Sequence, residues 1–120
     1  MRDKNETRAN YRRGVMPLAV LSLLKERDKY GYELVQEIGE RTGGAVETQE
    51  GSLYPVLYKL EESGYISSST IFVGRRLRRV MYHIEVSGKE HLEELIADYM
   101  TVTQAVYQLI EEGRAYDENE

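Results

Sequence analysis

The run Glu50-Gly51-Ser52-Leu53-Tyr54-Pro55-Val56-Leu57-Tyr58-Lys59-Leu60-Glu61-Glu62-Ser63-Gly64 constrains this chain more than any other stretch. At about 100° per residue, Leu53, Val56, Leu57 and Leu60 fall within one narrow arc of a helix. Ser52, Tyr54, Pro55, Tyr58, Lys59 and Glu62 occupy the rest of the wheel. Proline is tolerated in a first turn, where its missing N–H costs nothing, so Pro55 predicts a helix over 52–63. Gly64 is placed to end that helix in a left-handed conformation. The result is a short helix whose exposed N-terminal half can donate hydrogen bonds and stack. Such a helix suits end-on entry into a DNA groove.

The chain has 120 residues, enough for one domain with a long appendage. Charged residues are 31% and apolar ones 41%, a globular rather than a disordered composition. With no cysteine, disulfides and thiolate metal sites are excluded, which is compatible with a reducing cytoplasm. The longest apolar stretch, Val15 to Leu24, is too short to span a membrane and is broken by Pro17 and Ser22. Residues 1–13 are too charged for a signal peptide. A cytoplasmic protein with no membrane partner is expected.

A net charge of −5 argues at first against a nucleic-acid partner. Its distribution reverses that reading. Residues 1–83 hold 14 Lys/Arg against 11 Asp/Glu, and residues 84–120 hold 2 against 10. Local potential, not net charge, governs a DNA-binding face. The acidic segment is also compatible with a plain solubilising surface.

Residues 1–13 are polar and read either as a frayed arm or as a short helix. Val15–Arg27 reads as a helix with Pro17 in its first turn, followed by a break at Asp28-Lys29. Tyr30–Thr42 is a second helix, with Tyr30, Leu34 and Ile38 spaced by four and Gly43-Gly44 as its stop. After the helix at 52–63 the period changes. Tyr65–Val73 is rich in β-branched and aromatic residues, and Val80, Tyr82, Ile84 and Val86 alternate with Met81, His83 and Glu85. The turn between these strands is loaded with arginine: Arg75, Arg76, Arg78 and Arg79 are four arginines in five residues. Ser87 with Glu90 reads as a capping box that opens a helix from about Gly88 to Glu112. In that helix Leu92, Leu95, Tyr99, Val102, Val106 and Leu109 repeat with coiled-coil spacing. Ala115–Glu120 reads as a disordered end.

The order helix, helix, helix, hairpin, long helix is that of a winged helix-turn-helix, mainly α (α+β), with a C-terminal dimerisation helix. Its boundaries fall at 1–86 for the DNA-binding domain with its arm, 87–113 for the dimerisation helix and 114–120 for the tail. In such a domain the third helix reads the major groove, and the wing reaches the flanking backbone or minor groove. Arginines there neutralise phosphates and release counterions. The alternative for the wing is a solvated hairpin tip that happens to be basic. The long amphipathic helix needs a partner for its apolar stripe, and a two-fold homodimer supplies one. Its two recognition helices would lie about 34 Å apart on a pseudo-palindromic duplex. The contacts expected from the third helix are Ser52 with its neighbouring amides at a phosphate, Tyr54, Pro55 and Tyr58 at phosphate or base edge, and Lys59 by charge. Tyr54 packing against the second helix is an equal alternative. Tyr30 and Tyr32 read as core or domain-edge residues.

Tyr30-Gly31-Tyr32-Glu33-Leu34, Gly43-Gly44, the Glu50–Gly64 run, the Arg-rich wing followed by Met81-Tyr82, and Arg13-Gly14 together resemble the PadR family of transcriptional regulators. The resemblance covers about residues 12–112, and the short C-terminal helix is similar to that of the smaller PadR subfamily. Where the family carries a threonine cap after the second strand, this chain has Ser87. The resemblance implies a homodimeric repressor on an operator, in some members released by a small aromatic effector held between the dimer helices. Tyr99, Met100 and Tyr107 would line such a space here, although Tyr99 also fits as filler of the dimer seam.

Other chemistries find little support. His83 and His91 are the only histidines, one on a strand and one on a helix, so no metal site is expected. No Ser-His-Asp spacing and no Gly-rich phosphate loop is present, so neither catalysis nor a cofactor is expected. Two further readings are a winged helix that serves as a protein-interaction module without specific DNA binding, and a small-molecule sensor whose DNA role is secondary.

Overall fold

The computed structural model describes residues 4–75 and 77–118. The elements run α1 (Lys4–Glu26), β1 (Lys29–Tyr30), α2 (Gly31–Arg41), α3 (Glu50–Glu62), β2 (Ile66–Val73), β3 (Leu77–Ile84) and α4 (Val86–Glu118). This is the winged-helix order. The three strands form one antiparallel sheet in the order β1-β3-β2. β2 and β3 pair from Ile66↔Ile84 to Val73↔Leu77, which closes the hairpin between Val73 and Leu77.

The core is a single cluster. Met16, Val20, Leu21 and Leu24 come from α1, Leu34 and Ile38 from α2, and Leu53, Leu57 and Leu60 from α3. Ile66, Tyr82 and Ile84 close it from the sheet, and Leu92 from α4. α3 is therefore held from three sides by its apolar arc, and its other side faces out.

Both short helices end as their glycines dictate. After α3, Gly64 takes φ +80°. Its N–H reaches the Glu61 carbonyl at 3.0 Å and the Tyr65 N–H reaches the Leu60 carbonyl at 3.0 Å. After α2, Gly43 and Gly44 take φ +61° and +83°. Their amides reach the Glu40 and Gly39 carbonyls at 3.2 and 2.8 Å. Both are Schellman closures, in which a left-handed residue lets two amides satisfy orphan carbonyls.

Several boundaries differ from the sequence reading. α1 starts at Lys4, so most of the arm is helical and Pro17 lies in mid-helix. A proline there leaves the Arg13 carbonyl without its helical donor, a loss that packing of Met16, Val20 and Leu21 offsets. Pro55 likewise lies inside α3, which starts at Glu50 with Gln49 as its cap. Val86 is no strand residue: it opens α4 and is 72% exposed. The expected capping box is absent. Lys89 N–H bonds the Glu85 carbonyl at 3.0 Å, and the Ser87 hydroxyl donates to the Gly64 carbonyl at 2.7 Å. α4 runs on through Ala115 to Glu118, where a disordered tail was expected. Its 33 residues span about 50 Å at 1.5 Å per residue, which makes the molecule elongated, 69 × 34 × 21 Å. Residues 119 and 120 lie outside the described residues.

Candidate nucleic-acid interface

α3 presents an outward strip bounded by two neighbours. Helical spacing puts Glu50 and Tyr54 on the edge toward the wing and Ser52 and Val56 on the edge toward α1. Gly51, Pro55, Tyr58 and Lys59 lie between them and are exposed. Tyr58 is 69% exposed, so its ring and hydroxyl project free of the domain. Tyr54 is half-exposed and does two things at once. It shares a cleft with Tyr30, Tyr32, Glu50, Arg78, Arg79 and Tyr82, and its hydroxyl lies toward Gly31 and Tyr82 while half of the residue remains exposed. Burial, and then the nearby Tyr54 hydroxyl, push the Tyr82 hydroxyl above its usual range, so Tyr82 stays neutral and structural.

The sequence reading expects Ser52 with its neighbouring amides at a phosphate. The Ser52 N–H already bonds the Gln49 carbonyl at 3.0 Å. The Glu50 and Gly51 amides are the ones without a helical acceptor. With its N–H taken, Ser52 presents its hydroxyl.

The wing is tied to α3 by the Ser68 hydroxyl, which donates to a Glu61 carboxylate oxygen at 2.5 Å. The arginine cluster is not a single turn. Gly74, at φ +73°, makes the bend and Arg75 follows it, while Arg78 and Arg79 lie in β3 opposite Phe72 and Ile71. Arg76 lies outside the described residues. Strand alternation sends Arg78 and Arg79 to opposite faces. Arg78 shares the face of Tyr82 and Ile84 and is exposed beside α3. Arg79 lies over the Tyr32 ring at 4.9 Å and the Tyr30 ring at 5.7 Å. Those two rings are themselves stacked, 5.7 Å apart and 10° from parallel. Arg79 thus fastens the wing to α2, and Tyr30 and Tyr32 are edge residues.

Several cations elsewhere in the domain are neutralised. Arg27 meets Glu33 at 2.7 Å, Arg41 meets Glu26 at 2.8 Å, and Lys29, buried, meets Glu37 at 2.9 Å. Among the described residues, Lys59, Arg75, Arg78 and Arg79 have no carboxylate partner. The same holds for Arg8, Arg12 and Arg13 of α1, to which the sequence reading gave no role. A hint was present in the i, i+4 spacing of Arg8 and Arg12.

The expected dimer seam divides in two. Leu92 is 1% exposed inside the chain's own core, so it is not an interface residue, and Leu95 packs against the same core. The domain therefore consumes the first turns of α4. Beyond them every residue from 96 to 117 is exposed, including Tyr99, Met100, Val102, Val106, Tyr107 and Leu109. His83 pairs with Asp28 at 2.7 Å and His91 stacks on Tyr65 at 4.1 Å, which separates the two histidines. Among the described residues no group of three His, Asp or Glu side chains is placed to hold a metal, and no helix is long and apolar enough to cross a membrane.

Known proteins resemble this chain in sequence and fold over most of its length. A protein of Lysinibacillus sphaericus without an assigned function is 33% identical over 99 residues, covering 82% of this chain and 91% of that protein. The negative transcriptional regulator PadR of Bacillus subtilis is 28% identical over 92 residues, and the match takes in 77% of this chain but only half of that protein. Among solved structures, a PadR family regulator from Eggerthella lenta superposes with a TM-score of 0.78 at 28% identity, covering 89% of this chain and 91% of that one. Bacillus subtilis PadR in complex with operator DNA gives 0.64 at 30% identity, covering 68% of this chain and 46% of that one. The model of the PadR-like transcriptional regulator family matches residues 20–94, from the core of α1 to the first turns of α4, and the chain belongs to that family.

Proposed function

We propose that this protein is a homodimeric repressor that binds a pseudo-palindromic DNA operator. α3 enters the major groove and the wing flanks it. The observation that carries this reading is the alignment of unpaired cations with an exposed helix face: Lys59 on α3, and Arg75 and Arg78 on a wing fastened to it through Ser68 and Glu61. Tyr54, Pro55, Tyr58 and the Ser52 hydroxyl complete the surface. Phosphate contacts then supply affinity and register, and groove contacts from α3 supply sequence. The solved complex of Bacillus subtilis PadR with operator DNA supports the assignment by likeness.

The far half of α4 is the dimer element. Tyr99, Val102, Val106 and Leu109 are 43–66% exposed in one chain, a stripe that a second α4 would cover. A small aromatic effector between such helices would meet Tyr99, Met100 and Tyr107.

The test is a titration of the protein on the DNA upstream of its own gene, beside a scrambled duplex of equal length, at two salt concentrations. Preferential binding that weakens steeply with salt supports the reading. Equal, salt-insensitive binding to both duplexes rejects it and favours a protein-interaction module.

A further inference from the structure

The N-terminal half of α1 lies beside α3 on the side away from the wing, and three arginines line that side. Arg12 donates from Nη1 to the Glu47 carbonyl at 2.8 Å, which anchors α1 to the loop that leads into α3. Arg13 donates from Nη1 to the Asn10 side-chain oxygen at 2.8 Å. Both partners are neutral oxygens, so both guanidinium charges remain uncompensated. Arg8 is exposed one helical turn before Arg12. Arg12 and Arg13 share a cleft with Thr48, Ser52, Pro55 and Val56, so two hydroxyls face the same space as the two cations.

The contrast within the chain gives this cluster its meaning. Lys25, Arg27, Lys29 and Arg41, at the other end of α1 and on β1 and α2, each meet a carboxylate. Among the described residues, Arg8, Arg12 and Arg13 meet none. Glu47 lines a cleft with Arg8 and Arg12 yet forms no ion pair with either, and neither does Glu6 in the first turn of α1. The unpaired cations thus gather around α3: Lys59 on it, Arg75, Arg78 and Arg79 on one side, and Arg8, Arg12 and Arg13 on the other. Lys89, at the start of α4, is the exception.

We infer that the N-terminal half of α1 is a second backbone-contact surface for duplex DNA, holding phosphates on the side of α3 opposite the wing. This deepens the DNA-binding reading above and rests on it. Arg8 and Arg13 make the phosphate contacts, Arg12 both contacts the strand and fixes the α3 entry loop, and the Thr48 and Ser52 hydroxyls add hydrogen bonds. Because these groups meet phosphates and not base edges, the surface adds affinity equally for all sequences.

The experiment measures binding to a short labelled duplex of arbitrary sequence across about 50–200 mM salt. It compares the full chain with Arg8→Gln/Arg13→Gln, with Arg8→Lys/Arg13→Lys, and with the wing variant Arg75→Gln/Arg78→Gln. Arg12 is left intact because its loop contact is structural. Each neutralised phosphate contact lowers the slope of log K against log salt by about 0.9, so either glutamine pair lowers it by about 2 per bound protomer, and the lysine pair keeps it. A wing variant that lowers the slope beside an α1 variant that does not would overturn the α1 surface and leave the DNA reading intact. Unchanged slopes for both would remove the DNA reading and the α1 surface together. Sedimentation of the free proteins supplies the remaining arm: an α1 variant that weakens self-association with its slope unchanged would assign these arginines to a second copy of the chain instead.

Discussion

Gly88 lies so close to the Tyr65 carbonyl that a side chain has nowhere to go. A Cβ at Gly88 would overlap that oxygen and sit 2.9 Å from Ile84 Cγ1. The obstacle is backbone and cannot rotate away. Around it, the Glu85 N–H bonds the Tyr65 carbonyl at 2.9 Å and the Ser87 hydroxyl bonds the Gly64 carbonyl at 2.7 Å. The first turn of α4 is thereby pressed onto the loop that ends α3, which couples the direction of the long helix to the helix assigned to DNA.

Gly88→Ala should therefore destabilise the domain by about 1–3 kcal/mol, the usual cost of forcing atoms into a packed site. Gly14→Ala is the matched control. It also lies in a helix but has nothing within 4 Å of its virtual Cβ. There alanine should be neutral or stabilise by about 0.5–1 kcal/mol, because it removes the helix cost of glycine. Urea unfolding of both variants decides. Equal behaviour would mean that α4 can back away from Tyr65 freely.

Acid should loosen the seam between α1 and α2. Arg41 bonds both Glu26 carboxylate oxygens at 2.8 Å, and with Lys29 it holds that carboxyl down to about 2 from 4.5. The Arg27 guanidinium, and then the Tyr30 N–H, hold Glu33 below the usual carboxylate range. Depressed carboxyls bind protons more readily unfolded than folded, so their stabilisation is complete above the unfolded value and is lost as pH falls toward the folded one. Stability should hold from neutral pH to about 5 and then fall toward about pH 2. Glu26→Gln should flatten that fall and lower the neutral plateau. A melting temperature with the same acid profile in the variant would show that Glu26 is not among the groups responsible.

What the sequence carried and what it withheld separate by physical range. The apolar arcs of α2 and α3 and the alternation in the hairpin are local periods, and they placed the helix-turn-helix and wing correctly. Pro17 and Pro55 misled because proline marks a first turn only when packing does not override it. Here Val20 and Leu21 bury the helix through the defect. Ser87 and Glu90 had the spacing of a cap, but the hydroxyl found the Gly64 carbonyl, a partner 23 residues away in the chain. β1 has two residues, too few to show a period. Leu92 has the same heptad spacing as Val106, and spacing cannot say whether the chain's own core or a second chain covers a leucine. Arg78 and Arg79 are adjacent in sequence and part company only once strand register is known.

That divergence is testable. Arg78→Gln should lower the salt slope of DNA binding by about 1 per protomer and leave stability unchanged. Arg79→Gln should cost about 0.5–1 kcal/mol of stability by removing the cation from the Tyr30 and Tyr32 rings. Paired anisotropy titrations and thermal melts separate the two effects. Interchanged results would place Arg79, not Arg78, on the DNA.

The outer half of α4 makes the sharpest demand on a second chain. From Ile96 to Asp117 every residue is exposed, with Val102 at 60% and Leu109 at 66%. A lone helix of this length is only marginally stable in water, and its stripe of apolar residues would stay wet. Its helicity should thus depend on association. Val106→Asp/Leu109→Asp should yield a monomer by sedimentation, with reduced far-ultraviolet helicity and a domain melt altered by no more than about 0.5 kcal/mol beyond the loss of the pairing itself. Leu92→Ala should act differently, costing about 2–5 kcal/mol through a cavity in the domain core. A double-aspartate variant that still sediments as a dimer would move the seam off this face, and a parent chain that is monomeric and fully helical would show that α4 stands without a partner.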